Sequence, residues 1–267
     1  MTGRQPGGRD VAYTIRRAGP VRDWDAAERS HRFADMVSGA PGFWDTRAAA
    51  LWDDEALHIR FWVEEPFLRA DVQERDGLVF LENDVEVFVD GGDCYYELEL
   101  NAAGTVYEVF FIWQDAFGPD TRFATPEFDL LAQHALTFAG DDDRSGPTFW
   151  RGGHPRGPRW AFRQWDFPGL QVSVALDGTL NDDRDIDRGW TAEITLPWAG
   201  MTHLANGRSL PPLPGDEWRM FFGRFQRLEI GGHEVLPHPA LVWTPHGRFD
   251  AHMPEAWTRV VFSADAE

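Results

Sequence analysis

Two neighbouring segments of the chain alternate between polar and apolar residues, and most of their polar residues are acidic. The segment 84–90 reads DVEVFVD and the segment 95–101 reads YYELELN, with Gly91 and Gly92 between them as a two-residue hairpin turn. Such a turn predicts four facing pairs, which are Asp90 with Asp93, Glu86 with Glu97, Asp84 with Glu99, and Glu82 with Asn101. Like charges that face each other destabilise a sheet, so this face needs compensation.

Three kinds of compensation would serve this acidic face: a bound cation, Arg side chains, or raised carboxyl pKa values. Calcium would suit it, because Ca²⁺ accepts many carboxylate oxygens in loose geometry. A sugar would suit it as well, because each hydroxyl can donate a hydrogen bond to a carboxylate. The alternative is a solvent-exposed acidic face that Arg60 or Arg224 neutralises. The sequence leaves these possibilities open.

A second acidic run, 181–189, places oxygen-bearing side chains at every other position. Asp183, Asp185 and Asp187 are therefore candidate ligands for calcium. The Gly and the final Glu of an EF-hand loop are out of place here, and Arg184 and Arg188 partly neutralise the run. A calcium loop and a plain surface loop both remain possible.

Hydrolytic chemistry has weaker support. Glu86, Glu97 or Glu99 could supply a general acid and base pair, but no spacing selects one pair. The sequence contains neither a G-x-S-x-G nor an H-E-x-x-H motif. The last four histidines of the chain fall in a Pro-rich stretch that indicates a loop. We therefore expect a binding protein rather than an enzyme.

Charge and composition exclude several classes of partner. The net charge is −19 and all 25 basic residues are Arg, so nucleic acid and anionic membranes would be repelled. The absence of Lys removes Schiff-base chemistry. The single cysteine, Cys94, excludes an internal disulfide. Residues 1–10 show no apolar signal-peptide core, which predicts a cytoplasmic protein, or an extracellular one if a leader has been removed.

Period-two alternation dominates the chain and predicts an all-β fold. Strands are expected at 57–63, 84–90, 95–101, 105–113, 170–176, 190–196, 218–225 and 258–262. Helical periodicity appears only at 25–37 and near 198–204. We predict a single antiparallel β-sandwich domain over 1–267, jelly-roll-like, with few short helices. Residues 1–20 are expected to be flexible, and 114–165 to form a long loop insertion that carries Trp150, Trp160 and Trp165.

Several segments together resemble family 9 carbohydrate-binding modules. They are WDDEALHI at 52–59, ENDVEVFVD at 82–90, YYELELN at 95–101, GWTAEI at 189–194 with PW at 197–198, and WTP at 243–245 with PEAW at 254–257. The resemblance spans about 44–262. It implies a two-sheet antiparallel sandwich that holds calcium and clamps a sugar end between two Trp side chains.

The chain departs from that clamp at three positions. Phe80 stands where the first Trp of the clamp is expected, and the second falls near Ala251 or His252. A sugar-facing Arg of the family aligns near Glu99, which reverses the charge. Asn101 matches a family Asn.

We therefore predict a non-catalytic protein that binds a mono- or oligosaccharide on its acidic and aromatic sheet face, with possible calcium assistance. The predicted ligand-binding residues are Phe80, Glu82, Asp84, Glu86, Glu99, Asn101, Arg224 and His252, around one cleft with His252 at its rim. Two alternatives stay open: a glycan hydrolase that uses paired carboxylates, and a haem-binding relative of the same sandwich, for which Met220 and Met253 show no distinctive spacing with His.

Overall fold

The computed structural model describes residues 12–138 and 154–266. Strands dominate these residues, as the alternating pattern predicted, and the all-β class is confirmed. In chain order the strands are β1 Tyr13–Arg17, β2 Ala34–Asp35, β3 Thr46–Trp52, β4 Ala56–Glu64, β5 Asp84–Asp90, β6 Cys94–Asn101, β7 Val106–Trp113, β8 Leu136–Phe138, β9 Arg159–Phe162, β10 Gln171–Asp177, β11 Gly189–Pro197, β12 Glu217–Phe225, β13 Glu229–Ile230, β14 His233–Glu234, β15 Ala240–Val242 and β16 Thr258–Ala266.

Helical structure is limited to short turns in the described residues. The 3₁₀ turns are Val79–Leu81, Gln114–Ala116, Pro126–Phe128, Trp198–Met201 and Pro254–Ala256, and the α-helix α1 is Thr202–Ala205. The helical prediction at 198–204 is thus confirmed. Among the described residues, no helix has the length and apolarity needed to cross a membrane.

The strands form two layers that a shared strand connects. The first layer has the order β10-β11-β4-β3, and the second has the order β16-β12-β5-β6-β7-β9-β8. Strand β1 joins them, because its residues Tyr13–Ile15 pair in parallel with β16 and Arg16–Arg17 pair in parallel with β3. The layers pack face to face: the ring of Phe61 on β4 lies 6.4 Å from that of Phe222 on β12. This is the predicted sandwich.

Strict alternation on β5 sorts its side chains between the two faces of the second layer. Val85, Val87 and Val89 point into the core between the layers and are fully buried, as predicted. The even-numbered residues Asp84, Glu86 and Phe88 point to the opposite, outer face. That face is buried too, which the sequence did not indicate.

The helix predicted over 25–37 is wrong. Asp23 accepts hydrogen bonds from the backbone N–H groups of Asp25 and Ala26, and Asp35 accepts them from Val37 and Ser38. Such local bonds compete with a helical ladder. The segment instead forms turns and the short strand β2, which pairs with β15.

The long loop predicted over 114–165 contains ordered structure at both ends. Strand β9 pairs with β7, and β8 pairs with β9, so both extend the second layer. Trp165 is a buried core residue and Trp160 is half-buried against the same core. Trp150 lies outside the described residues.

Candidate ligand-binding cleft

The β5–β6 hairpin sets the acidic face, but in a different register from the predicted one. Glu86 faces Glu99, Asp84 faces Asn101, and Phe88 faces Glu97, so the predicted pairing is wrong by two residues. The turn is centred on Gly92-Asp93, with Gly92 at φ +80° and the Gly91 N–H donating to the Cys94 carbonyl. A shift of two residues keeps every side chain on its face, so the carboxyls still share the outer face.

Segments distant in sequence surround this face and form a cleft of about 630 Å³. We call it the outer-face cleft. Glutamates from β5 and β6 lie on its floor, and aromatic side chains from six segments line its walls. The residues used below are Phe80, Glu86, Phe88, Glu97, Glu99, Tyr107, Phe111, Phe138, Arg163, Phe225, Phe249 and His252.

Three carboxyl groups on the cleft floor each have one oxygen without a hydrogen-bond partner. Glu86, Glu97 and Glu99, here called the floor carboxyls, are between 2% and 4% exposed. Each has one buried oxygen, Oε2, without a partner. Buried polar atoms are nearly always bonded in folded proteins, so three orphans in one cleft indicate a place for a polar ligand.

Burial shifts the protonation of the floor carboxyls. It raises the pKa of Glu86 and Glu99 well above the usual Glu range, and neighbouring carboxyls raise both further. Burial also raises the pKa of Glu97 to about 7, where a hydrogen bond with Glu99 and the charge of Arg159 limit the rise. The raised pKa values of Glu86 and Glu99 favour their neutral acid forms, which can donate as well as accept hydrogen bonds.

His252 lies at one side of the cleft, as predicted. Its Nδ1 is 3.1 Å from the Tyr95 hydroxyl and 3.5 Å from Glu97 Oε2. Arg159 donates a hydrogen bond of 2.7 Å to the His252 carbonyl oxygen. Burial, and then the charge of Arg159, hold the His252 pKa well below its usual value, so the imidazole is neutral.

Phe80 lies on the 3₁₀ turn Val79–Leu81 at the cleft wall. Its side chain is 38% exposed, and its ring packs edge-on against Tyr107 at 5.5 Å between centroids. A half-exposed ring beside polar groups is the arrangement that a sugar ring can stack on.

Glu82, Asp84 and Asn101 do not line the outer-face cleft. Asn101 faces Asp84 and not Glu82 across the hairpin, but its side chain still donates to Glu82 Oε1 at 2.6 Å, and Glu82 Oε2 accepts from the Asp71 backbone N–H at 2.8 Å. Asp84 Oδ1 accepts from the Phe225 backbone N–H at 3.1 Å. These bonds hold the segment around Asp71 and the end of β12.

Arg224 lies on the other side of the second layer. It follows Met220 and Phe222 at a spacing of two and so points between the layers, where it donates to Thr46 Oγ1 at 2.9 Å and lies 3.6 Å from Glu65 Oε2. Arg60 is on the first layer and pairs with Glu193 at 3.2 Å. Neither arginine pairs with a floor carboxyl.

The three aspartates of the predicted calcium loop do not converge. Asp183 pairs with Arg69, and Asp185 is exposed. Both Asp187 oxygens accept backbone bonds, Oδ2 from Leu68 at 2.9 Å and Oδ1 from Thr179 at 2.8 Å. These contacts organise the loop around Asp187 and leave that carboxylate no free oxygen.

Another acidic group is found elsewhere in the described residues. Oxygens of Asp76, Glu108 and Asp166 lie within 4.8 Å of one another. Arg75 pairs with both Glu108 and Asp166. Its guanidinium already supplies positive charge at the place a cation would take.

Several cleft residues were not selected from the sequence as ligand-binding residues. Tyr107 and Phe111 face Glu99 and Tyr95 across the β6–β7 pair, so the alternation of β7 could have placed both on the outer face. Phe138 and Phe249 come from segments with no pattern that links them to the hairpin. Only the folded chain brings them to the cleft.

Comparisons with known proteins concern the fold. The sequence matches no protein-family model, and no curated protein matches it significantly. A solved structure described as a "putative carbohydrate-binding protein" from Bacteroides uniformis is similar, with 15% identity, a TM-score of 0.57, and coverage of 95% of this chain and 100% of that chain.

Two structures of a family 9 carbohydrate-binding module from Caldicellulosiruptor kristjanssonii are also similar. The complex with cellotriose has 12% identity and a TM-score of 0.49, and covers 96% of this chain and 95% of that chain. The complex with glucose has 12% identity and a TM-score of 0.49, and covers 95% and 96%. Of the three, the Bacteroides uniformis structure is the one whose similarity shows that this chain shares its sandwich fold.

Proposed function

We propose that this protein binds a carbohydrate in the outer-face cleft, without catalysis. The observation that carries the proposal is the set of three partnerless Oε2 atoms on a floor walled by aromatic rings. A sugar ring offers both features a complement, since its C–H faces are apolar and its hydroxyl edges donate and accept hydrogen bonds. The shared fold with a structure described as carbohydrate-binding agrees with this proposal.

The volume and walls of the cleft set the size of ligand. A cleft of about 630 Å³ lies within the range of small-molecule sites, so it suits one or a few sugar rings rather than a long polymer. Phe80 from the 3₁₀ turn and Phe249 from the loop before β16 supply rings from separate segments. These rings would take the place of the Trp clamp that the family resemblance implied.

A glycan array at neutral pH, probed with the wild-type protein and with Glu99→Gln, tests the proposal. We expect the wild type to bind a defined subset of glycans and the variant to lose those signals. Glu217 is an exposed glutamate at the start of β12, so Glu217→Gln is the matched control and should bind as the wild type does. A blank array for the wild type would refute the proposal.

One observation favours a hydrolase as a second candidate. The raised pKa values of Glu97 and Glu99 are those expected of a general acid. However, these two carboxyls hydrogen-bond to each other, whereas the pair in a glycosidase stands about 5–9.5 Å apart on either side of the bond it cleaves. Release of reducing sugar from a bound glycan, lost in Glu97→Gln, would establish the hydrolase instead.

We also propose calcium assistance at a group that the sequence did not select, Asp76, Glu108 and Asp166, where the ion would have to displace the Arg75 guanidinium. Its support is that Asp76 Oδ1 is buried without a partner. Melting curves in millimolar calcium and in chelator test it, with Asp76→Asn as the variant that should abolish a calcium-dependent rise. Identical curves would leave Arg75 as the sole compensating charge.

The haem alternative has one structural obstacle. Met220 lies in the core between the layers, on the face of β12 opposite the cleft, and so cannot ligate iron there. A purified protein without a Soret band would exclude this alternative.

A further inference from the structure

Two of the floor carboxyls face each other and form no ion pair with any described residue. Glu86 and Glu99 face each other directly across β5 and β6, and are 3% and 2% exposed. Each has its Oε2 buried without a hydrogen-bond partner. The charged groups that act on Glu86 are Asp84 and Glu97, and those that act on Glu99 are Glu86, Glu97 and Asp84, all of them carboxyls.

Two arginines lie near this pair, and nitrogens of both are buried without a hydrogen-bond partner, but neither arginine forms an ion pair with Glu86 or Glu99. The titratable and charged side chains around this pair and in the cleft lining are Asp84, Glu97, Tyr107, Arg159, Arg163, His238, Asp250 and His252. Arg159 bonds to the His252 carbonyl and stacks 4.4 Å from the Trp113 ring centroid. Arg163 lies 5.6 Å from the ring centroid of Tyr107. Among the described residues, no arginine forms an ion pair with Glu86 or Glu99.

The walls around the pair select the kind of cation that could fill this place. Phe88, Phe111 and Tyr107 present rings to the same cleft. Aromatic faces attract organic ammonium groups by cation–π interaction. A hard metal ion prefers to be surrounded by oxygen ligands, whereas most of the side chains that line this cleft are apolar or aromatic. The geometry favours an organic ammonium over a divalent metal.

Resting on the proposed carbohydrate function, we propose that the bound saccharide is an amino sugar whose ammonium group lies between Glu86 and Glu99. The sugar's hydroxyls would then face Glu97 and His252, and its C–H surface would face Phe80 and Tyr107. A neutral sugar offers no charge complement to the ionised form of this pair, whereas an ammonium supplies one and donates up to three hydrogen bonds.

Binding must then release protons. The raised pKa values favour the protonated forms of Glu86 and Glu99 in the free cleft, and an ammonium favours their ionised forms, so protons that these groups hold would leave to the buffer. Calorimetric titration in two buffers of different ionisation enthalpy measures this release directly. A neutral sugar is expected to bind with little or none.

Three β-1,4-linked tetrasaccharides that differ only at C2 test the proposal: the glucosamine oligomer, its N-acetylated form and cellotetraose. We expect the glucosamine oligomer to bind at least about tenfold more tightly than the other two, and Glu86→Gln or Glu99→Gln to lose this tight binding. Glu193→Gln, on the outer side of the first layer, is the control and should retain it. Melting curves confirm that each variant folds.

The outcomes separate this inference from the proposed function. Equal or tighter binding of cellotetraose or the N-acetylated oligomer overturns the amino sugar and leaves carbohydrate binding intact. If both Gln variants still bind the glucosamine oligomer, that binding reflects attraction to the acidic surface, and this result also overturns the amino-sugar proposal. If the wild type binds calcium and these variants do not, the Glu86 and Glu99 pair is a metal site instead. Failure of every glycan on the array removes the carbohydrate function itself.

Discussion

At the scale of single residues, the burial of the floor carboxyls lowers the stability of the protein and leaves polar atoms available to a ligand. Burying ionisable groups without partners disfavours their charged form, so protons stay bound where an exposed glutamate would have lost them. Functional sites often accept such a cost, because the unsatisfied atoms become available to a ligand. The same residues should therefore limit stability and enable binding.

The first prediction concerns the pH dependence of stability. Glu99 has a folded-state pKa above its unfolded value, so the folded state holds a proton that the unfolded state releases above about pH 4.5, and stability falls as pH rises through this window. Glu99→Gln removes that loss. The free energy of unfolding of the variant minus that of the wild type should increase by about 1 kcal/mol or more from pH 5 to pH 8, as measured by urea denaturation.

The comparison with the wild type matters, because other groups titrate in this range. The lowered pKa of His252 makes its contribution disappear as pH falls below about 6.5, which is opposite in sign to that of Glu99. Taking the difference between variant and wild type removes the His252 contribution. If the difference were the same at pH 5 and pH 8, Glu99 would be ionised in the folded protein.

How far the sequence predicts these residues depends on what alternation can convey. Period two correctly assigned Glu86 to one face and Val87 to the other. Alternation says nothing of what covers a face, and Phe138 and His252 reach the cleft from positions far along the chain. The burial of the carboxyls was therefore not predictable, although their common face was.

At the scale of elements, the hairpin turn positions the floor. The two-residue error in the predicted pairing arose because two consecutive glycines offer two possible turn centres, and only Gly92 has the left-handed φ of +80°. The turn places Glu86 opposite Glu99 instead of Glu97. One backbone angle thus decides which carboxyls face each other.

The second prediction tests that turn. Gly92→Ala should lower the free energy of unfolding by about 1 kcal/mol, because a Cβ disfavours the left-handed conformation. Gly118→Ala is the matched control: its φ is ordinary and a Cβ there would meet only a Thr121 methyl at 3.9 Å. Equal effects of the two substitutions on chemical denaturation would show that the turn does not depend on this angle.

Strand β3 shows why some elements escaped prediction. Its sequence TRAAALW does not alternate, since Ala48 and Ala50 face the core between the layers while Ala49 and Leu51 pack outward against Trp24. A strand buried on both faces reads as a continuous apolar run, and alanine has little strand preference. The pattern alone therefore could not distinguish it from a helix or a loop.

At the scale of the whole molecule, strand β1 makes the two layers one hydrogen-bonded path. It pairs with β16 of the second layer and β3 of the first, so separation of the layers requires β1 to detach. The cores on the two faces of the second layer share the same strands. The predicted single-domain organisation over 1–267 should follow from this connection.

The third prediction is therefore one cooperative unfolding transition. Differential scanning calorimetry of the whole chain should show a single peak whose calorimetric and van't Hoff enthalpies agree. Two resolved transitions, or a calorimetric enthalpy well above the van't Hoff value, would indicate independently folding parts.

The measurement that tests the central claim most directly is calorimetric titration of a soluble oligosaccharide chosen from the array. The four proteins compared are the wild type, Glu99→Gln, Phe80→Ala and Phe43→Ala. Phe43 is the matched control for Phe80, because its side chain is 43% exposed, compared with 38% for Phe80, and it does not line the cleft. We predict saturable binding by wild type and Phe43→Ala and none by the other two, with the melting temperature of Phe80→Ala nearly unchanged. Equal binding by all four proteins would show that the ligand does not occupy the outer-face cleft.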